Sequence, residues 1–219
     1  MAKKKHLKQS DLVTYYMDYV LTHNQNPKTV YAFAKAHNFE EQKFYEFFSS
    51  FESLEESIFE IFFSNAIQVL EQSEEYQTFD ARNKLLSFYF TFFEILTANR
   101  SYVVYALHSD KQHLKAVKKL RPLRSHFKVY IKSLDIKTLD LQQEQIEKLM
   151  DKTLNESAWI QFLITLKFWL DDQSPSFEKT DIFIEKSVMA SFDIIDTTPL
   201  KSLIDFGKFI YKEKIHKNG

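Results

Sequence analysis

Turn-forming residues are almost absent from this chain. Gly207 and Gly219 are the only glycines among its 219 residues, and prolines number four. Glycine supplies the positive φ angles of tight hairpins and the close backbone approach of phosphate-binding loops, so both are disfavoured here. Apolar residues recur instead at helical spacing along most of the chain. The sequence therefore predicts an all-α fold.

Residues 26–54 predict two short helices joined by a tight turn, followed by a long helix. The first short helix carries Val30, Phe33 and Ala34 on one face, and the second is expected at residues 40–48. Asn38 stands in the turn, at the position that favours a residue tolerant of left-handed backbone. Such a helix-turn-helix is able to place its second helix in the major groove of DNA.

Polar residues at the expected helix ends predict specific caps. Asn26 is a favourable N-cap for the first short helix, with Pro27 at the first helical position, where its missing N–H costs nothing. Ser49, with Glu52 three residues on, fits a capping box for the long helix. These residues agree with the helical boundaries that the apolar pattern predicts.

The same stretch resembles the DNA-binding half of the TetR (tetracycline repressor) family of bacterial transcriptional regulators. "KTVYAFAKAHNF" follows the family pattern of Thr, Val and a large apolar residue with Ala before the turn. "FYEFFSSFESL" follows its recognition helix and the polar start of the next helix. The resemblance covers roughly residues 10–65. It implies a head at residues 1–50 that binds double-stranded DNA, and a helical body at residues 51–219 that dimerises and binds an effector.

The resemblance also assigns roles to individual residues of the head. It implies that Lys28 and Thr29 hold phosphate, and that Gln42, Lys43 and Tyr45 face the groove or the DNA backbone. A basic start containing Lys3, Lys4, Lys5 and Lys8 fits an arm that touches phosphate or the minor groove, although a solubilising terminus has the same composition.

Two features of the body predict binding surfaces. The helices expected at about 155–171 and 178–196 are apolar on most sides, which predicts a homodimer formed through them. The aromatic residues of the body fill either an ordinary core or, as the resemblance implies, a pocket for a hydrophobic small molecule. The candidate pocket residues are Phe88, Phe92, Tyr102, Tyr105, Phe127 and Phe162.

Several classes of chemistry have no support in the sequence. The chain has no cysteine, and no catalytic or phosphate-loop motif is present, so we expect no enzyme, cofactor or metal site. His108 and His113 fall on different faces of a helix. The adjacent carboxylates Glu55-Glu56 and Asp171-Asp172 are expected on the solvated surface. No signal peptide or membrane span is evident, which predicts a cytoplasmic protein.

A second function remains open. The expected recognition helix begins with Glu40 and Glu41 and continues to Glu46, and carboxylates there oppose contact with a polyanion. The segment "PLKSLIDFGKFIYKEK" near the C-terminus has the pattern of a basic amphipathic helix, which is able to lie on an anionic membrane. The alternative is a TetR-fold protein without DNA binding that carries a lipid or another hydrophobic ligand.

Overall fold

The computed structural model describes residues 7–107, 118–136 and 144–196, in which ten α-helices and no β-strand occur. The all-α prediction is confirmed. The helices are α1 (Gln9–His23), α2 (Val30–Ala36), α3 (Glu41–Tyr45), α4 (Phe51–Glu71), α5 (Glu74–Thr78), α6 (Ala81–Ala98), α7 (Arg100–Leu107), α8 (Arg121–Ser133), α9 (Glu144–Asp171) and α10 (Glu178–Asp196).

Some sequence-based expectations fall outside the described residues. These are Lys3, Lys4 and Lys5 of the predicted arm, His108 and His113, and the amphipathic segment at 199–214. Within the part that is described, no helix is long and apolar enough to cross a membrane.

The chain forms two compact units. The first comprises residues 1–72 and 91–127, and the second comprises residues 73–90 and 128–219. Helices α6 and α8 each contribute residues to both units. The division into a head and a body at residue 50 stays a prediction.

Aromatic side chains form the core of α1 to α4 in the first unit. Phe33 of α2 is fully buried and meets Phe44 of α3 edge-on, with ring centroids 6.3 Å apart. Phe51 at the start of α4 lies 5.5 Å from Phe33 and 5.3 Å from Phe44, again in edge-to-face geometry. Such pairs stabilise by about 0.5–1.5 kcal/mol beyond the area they bury. This cluster stabilises α3, because an isolated helix of five residues would not stay folded.

The turn and the caps around α2 partly match the sequence. Asn38 has φ 55°, as predicted. The predicted cap is wrong, because α2 begins at Val30 and Thr29 caps it, its Oγ1 accepting a hydrogen bond from the Ala32 N–H at 3.1 Å. Asn26 is exposed and instead donates a hydrogen bond from its Nδ2 to the buried Glu55 carboxylate at 3.1 Å. At α4 the cap is Ser50 rather than Ser49.

The second unit also packs around aromatic residues. Phe88 of α6 is buried and lies 4.8 Å from the ring of Tyr130, whose hydroxyl is hydrogen-bonded to that of Tyr76 at 3.0 Å. Phe162 of α9 stacks on Trp159 at 5.1 Å. The strongly apolar segment 80–98 is therefore a buried element, as its all-round apolar pattern predicts.

Two carboxylates expected on the surface are buried. Glu55 is 5% exposed and Asp172 is 7% exposed, whereas their sequence neighbours Glu56 and Asp171 are not buried. The prediction was wrong because adjacent helical residues point about 100° apart, so one member of an acidic pair is free to face the core. Each buried carboxylate is compensated by several hydrogen-bond donors, as burial of a charge requires.

Candidate nucleic-acid interface

Exposed side chains on α2 and α3 form the predicted interface. Lys28 and Thr29 are exposed at the start of α2, and Gln42, Lys43 and Tyr45 are exposed on α3. The two helices pack against each other. All five side chains predicted to contact DNA are therefore solvent-accessible, three on α3 and two just before α2.

The orientation of α3 follows from a single buried anchor. Phe44 is fully buried, so its neighbours Lys43 and Tyr45 are turned outward. Phe48, three residues after the helix ends, is also buried and lies 5.8 Å from Phe44. The Phe48 N–H donates to the Phe44 carbonyl at 2.9 Å, which continues the helical course past Tyr45.

Two of the side chains predicted to contact DNA, Lys43 and Tyr45, already interact with nearby carboxylates. The Lys43 ammonium forms an ion pair with Glu46 at 2.7 Å. The Tyr45 hydroxyl makes a long contact of 3.4 Å with the Glu41 carboxylate. Both interactions are solvent-exposed and therefore weak, on the order of 1 kcal/mol or less. A DNA phosphate must therefore displace Glu46 to bind Lys43, and Glu41 to bind the Tyr45 hydroxyl.

One exposed aromatic residue in this region was missed by sequence reasoning. Tyr31 of α2 is 61% exposed, more than Tyr45 at 53%. The signal was present, because Val30, Phe33 and Ala34 define the inward face of α2 and Tyr31 lies off it. An exposed tyrosine combines a flat apolar ring with a hydroxyl, and suits contact with a sugar–phosphate backbone.

The six candidate pocket residues are divided between the two compact units. Phe92, Tyr102, Tyr105 and Phe127 belong to the first, and Phe88 and Phe162 belong to the second. All are buried except Tyr105, which is half-buried and donates a hydrogen bond to Asn26 Oδ1 at 2.7 Å. The buried hydroxyl of Tyr102 makes no hydrogen bond within the described part of the chain.

Burial governs the titration of the nearby tyrosines. It raises the pKa of Tyr102 well above its ordinary value, and the Glu55 carboxylate adds to the effect. Burial, followed by the same carboxylate, also raises the pKa of Tyr105. Both hydroxyls therefore stay protonated at neutral pH and remain hydrogen-bond donors.

Comparison with known proteins identifies the larger part of the chain. Residues 84–210 match the family model described as "Tetracyclin repressor-like, C-terminal domain". The match covers more than half of the chain and begins after the helices that carry the candidate interface. No curated protein matches the chain significantly. The matched region is independent of the N-terminal residues on which the sequence resemblance rests.

Proposed function

Since the chain belongs to the TetR family of regulators, we propose that it binds double-stranded DNA as a homodimer and regulates transcription. The head at residues 1–50 carries the DNA contacts, and the body at residues 51–219 dimerises and receives an effector. The observation that carries the proposal is the exposed face of α3, where Gln42, Lys43 and Tyr45 project around the buried anchor Phe44.

Some of the proposed contacts position the protein on the DNA backbone, and others recognise the base sequence. Lys28 and Thr29 hold phosphate just before α2, where both are exposed and the charge of Lys28 favours an anion. Gln42 has the donor–acceptor pair that recognises adenine in the major groove. Lys43 and Tyr45 contact phosphate or base edges beside it. Binding is salt-sensitive, because phosphate contacts displace condensed counterions.

The proposed dimer uses the outer face of α9 and α10. Exposed large apolar side chains lie on both helices, namely Ile160 and Ile164 on α9 and Ile182 and Met189 on α10. Gln161 of α9 forms hydrogen bonds with Ser187 and Ser191 of α10 at 3.3 and 3.1 Å, so the two helices already act as one packed pair. Covering this apolar face with a second copy removes it from water.

The proposed effector is an apolar small molecule with one polar group. Phe92, Tyr102 and Phe127 supply buried aromatic surface within the first unit, together with Tyr105 at its margin. A hydrogen-bond acceptor on the ligand would satisfy the Tyr102 hydroxyl. Binding that favours one position of α4 changes the separation of the two heads in the dimer and thereby weakens DNA binding. The proposal assigns no catalytic step to the chain.

Selection from random-sequence duplexes tests the DNA contacts. We expect the purified protein to enrich a common motif, and Lys43→Ala and Tyr45→Ala each to weaken binding to it by about tenfold. Lys152→Ala, which removes an exposed lysine of α9 in the second unit, serves as the control, and we expect it to leave affinity nearly unchanged. Failure to enrich any motif would contradict the proposal.

A second candidate function is transport of a lipid or another hydrophobic ligand without DNA binding. The observation that favours it is the charge of residues 40–46, which contain three carboxylates and one lysine already paired with Glu46. Mass spectrometry of organic extracts of the purified protein tests this function. A stoichiometric bound lipid in a protein that enriches no DNA would favour the carrier over the regulator.

A further inference from the structure

A buried carboxylate connects helices that lie far apart in the chain. Glu55, in the second turn of α4, is 5% exposed. It accepts a hydrogen bond from the Tyr16 hydroxyl of α1, a second from Asn26 Nδ2 at 3.1 Å, and pairs with Lys119 Nζ at 3.0 Å. All four residues belong to the first compact unit. The carboxylate is thus compensated by three donors from three different segments.

The network extends to α7 through two of these partners. Asn26 Oδ1 accepts from the Tyr105 hydroxyl at 2.7 Å. Lys119 Nζ also donates to the Ala106 carbonyl at 3.3 Å. Asn26 stands three residues before Thr29, which caps α2. A chain of hydrogen bonds therefore runs from α7 to the segment that starts α2.

We propose that Glu55 and Lys119 are positioning residues that fix the orientation of α1 and α2 on α4 and α7. Apolar contacts tolerate sliding, because dispersion is not directional. A buried charge tolerates only the geometry in which all its donors are in place, since each lost partner leaves a desolvated polar atom. The network therefore selects one arrangement of the helices around the proposed DNA-binding surface.

The Tyr16 donor of this network stays protonated near neutral pH. Burial, followed by the Glu55 charge, raises the pKa of Tyr16 far above its ordinary value, so its hydroxyl remains a donor. Removing the Lys119 ammonium leaves the carboxylate with only the neutral donors Tyr16 and Asn26. We expect water to enter and the helices to sample several orientations.

The cysteine-free chain permits a direct measurement of this orientation. Spin labels at Lys35→Cys on α2 and Ser101→Cys on α7, both exposed, give an intramolecular distance by pulsed electron paramagnetic resonance. An excess of unlabelled chain ensures that each labelled chain reports on itself. We expect one narrow distance distribution in the labelled parent, about twofold broader in Lys119→Met, and narrow again in Lys119→Arg.

A matched control shows whether the broader distance distribution comes from this network or from the loss of an ion pair in general. Lys128→Met removes the pair between Lys128 of α8 and Glu156 of α9, which lies in the second unit. We expect it to leave the distribution narrow. Tyr105→Phe removes only the hydrogen bond to Asn26, so it tests the network even if Lys119→Met does not fold. A distribution as narrow as the parent in the folded Lys119→Met, or in Tyr105→Phe if the former is unfolded, overturns the inference.

The consequence for DNA rests on the proposed function. If the parent enriches a DNA motif, we expect Lys119→Met to weaken binding to it by about tenfold, because fewer molecules present the competent orientation. An unchanged affinity in a variant with a broadened distribution would show that the orientation does not matter for binding, and would overturn this part. If the parent binds no DNA, the proposed function fails, and the spin-label distances still decide whether the network fixes the helices.

Discussion

Glu41 and Glu46 set how α3 is able to meet a polyanion. Their carboxylates hold the Tyr45 hydroxyl and the Lys43 ammonium, the two side chains most suited to contact phosphate or base edges. Neither interaction is buried, so both yield to a stronger partner. If the chain binds DNA as proposed, we expect these carboxylates to lower its affinity and to make that affinity depend more on the base contacts.

We predict that Glu46→Gln strengthens DNA binding. The substitution releases Lys43 from its ion pair and removes one repulsive charge, for a gain on the order of 1 kcal/mol. Fluorescence anisotropy on an enriched duplex measures the change, and the slope of log affinity against log salt should steepen. Glu75→Gln, at an exposed carboxylate of α5, is the matched control. Unchanged or weaker binding of Glu46→Gln would contradict Lys43 as a DNA contact.

His37 makes the stability of the α1–α3 region sensitive to acid. Its ring stacks on Tyr15 at 4.7 Å, and its Nε2 has no hydrogen-bond partner among the described residues. Burial lowers the pKa of His37, the Asp18 carboxylate opposes this, and His23 adds to the lowering. The unfolded chain therefore binds this proton more readily than the folded one. The stability contribution is complete above the unfolded pKa of 6.5 and declines as pH falls below it.

We predict that His37→Phe flattens this pH dependence. Thermal unfolding of the parent, followed between neutral pH and pH 5, should show a falling melting temperature, and the variant should lose most of that fall. His126→Gln, which removes an exposed histidine of α8 outside this region, is the control. An equal slope in the parent and in His37→Phe would show that His37 does not cause it.

Several helices could be read from the sequence, but their ends could not, and the five-residue helix α5 was not predicted. The segment 80–98, whose apolar pattern is continuous, is helical over Ala81–Ala98. The start of α2 was misplaced because Asn26 and Thr29 both suit an N-cap, and local chemistry does not choose between them. The choice depends on Glu55, which is distant in sequence and recruits Asn26 into its buried network.

The start of α10 shows the same dependence on a buried carboxylate. Asp172 Oδ1 accepts from the backbone and hydroxyl of Ser174 at 2.8 and 2.7 Å, and Oδ2 accepts from those of Thr180 at 2.9 and 2.7 Å. Burial acts to raise the pKa of Asp172, but these hydrogen bonds outweigh it and lower the pKa to about 2. Asp172 thus joins the end of α9 to the first turn of α10.

We predict that Asp172→Ala destabilises the protein by about 1–3 kcal/mol, whereas Asp171→Ala changes stability by less than about 0.5 kcal/mol. Asp171 makes only an exposed ion pair with Lys167, so it is the matched control. Urea unfolding at neutral pH measures both. The contribution of Asp172 is present above its unfolded pKa of 3.8 and is lost as pH falls towards 2. Equal stability of the two variants would contradict the role of Asp172.

The fold class and family of the chain follow from its pattern, while the division into two units does not. Scarce glycine and helical periodicity predict the all-α fold, and the match over residues 84–210 agrees with the resemblance seen at residues 10–65. Two of the three boundaries fall inside helices, between residues 90 and 91 of α6 and between residues 127 and 128 of α8, and no proline or glycine adjoins either point. Such a division depends on which distant helices share a core, and that information is not local.

The exposed apolar face of α9 and α10 leads to a prediction about assembly. We expect the protein to sediment as a dimer and Ile164→Lys to shift it towards monomer, because a buried ammonium without a partner costs several kcal/mol. Val129→Lys alters an exposed apolar residue of α8 and serves as the control. Analytical ultracentrifugation at micromolar concentration measures the oligomeric state of both variants, and we expect Val129→Lys to remain a dimer. A persistent dimer of Ile164→Lys would place the interface elsewhere.

Retention of genomic DNA fragments by the purified protein, followed across a range of salt concentrations, tests the regulator most directly. We predict that low salt retains fragments sharing an inverted repeat, since two related heads contact two half-sites separated by about one helical turn or a multiple of it. Retention should be lost as salt rises, because each phosphate contact weakens with salt and a head with seven lysines and five acidic residues starts from a low affinity. Retention of no fragment by the folded dimer, even at the lowest salt, would contradict DNA binding and favour the carrier of a hydrophobic ligand.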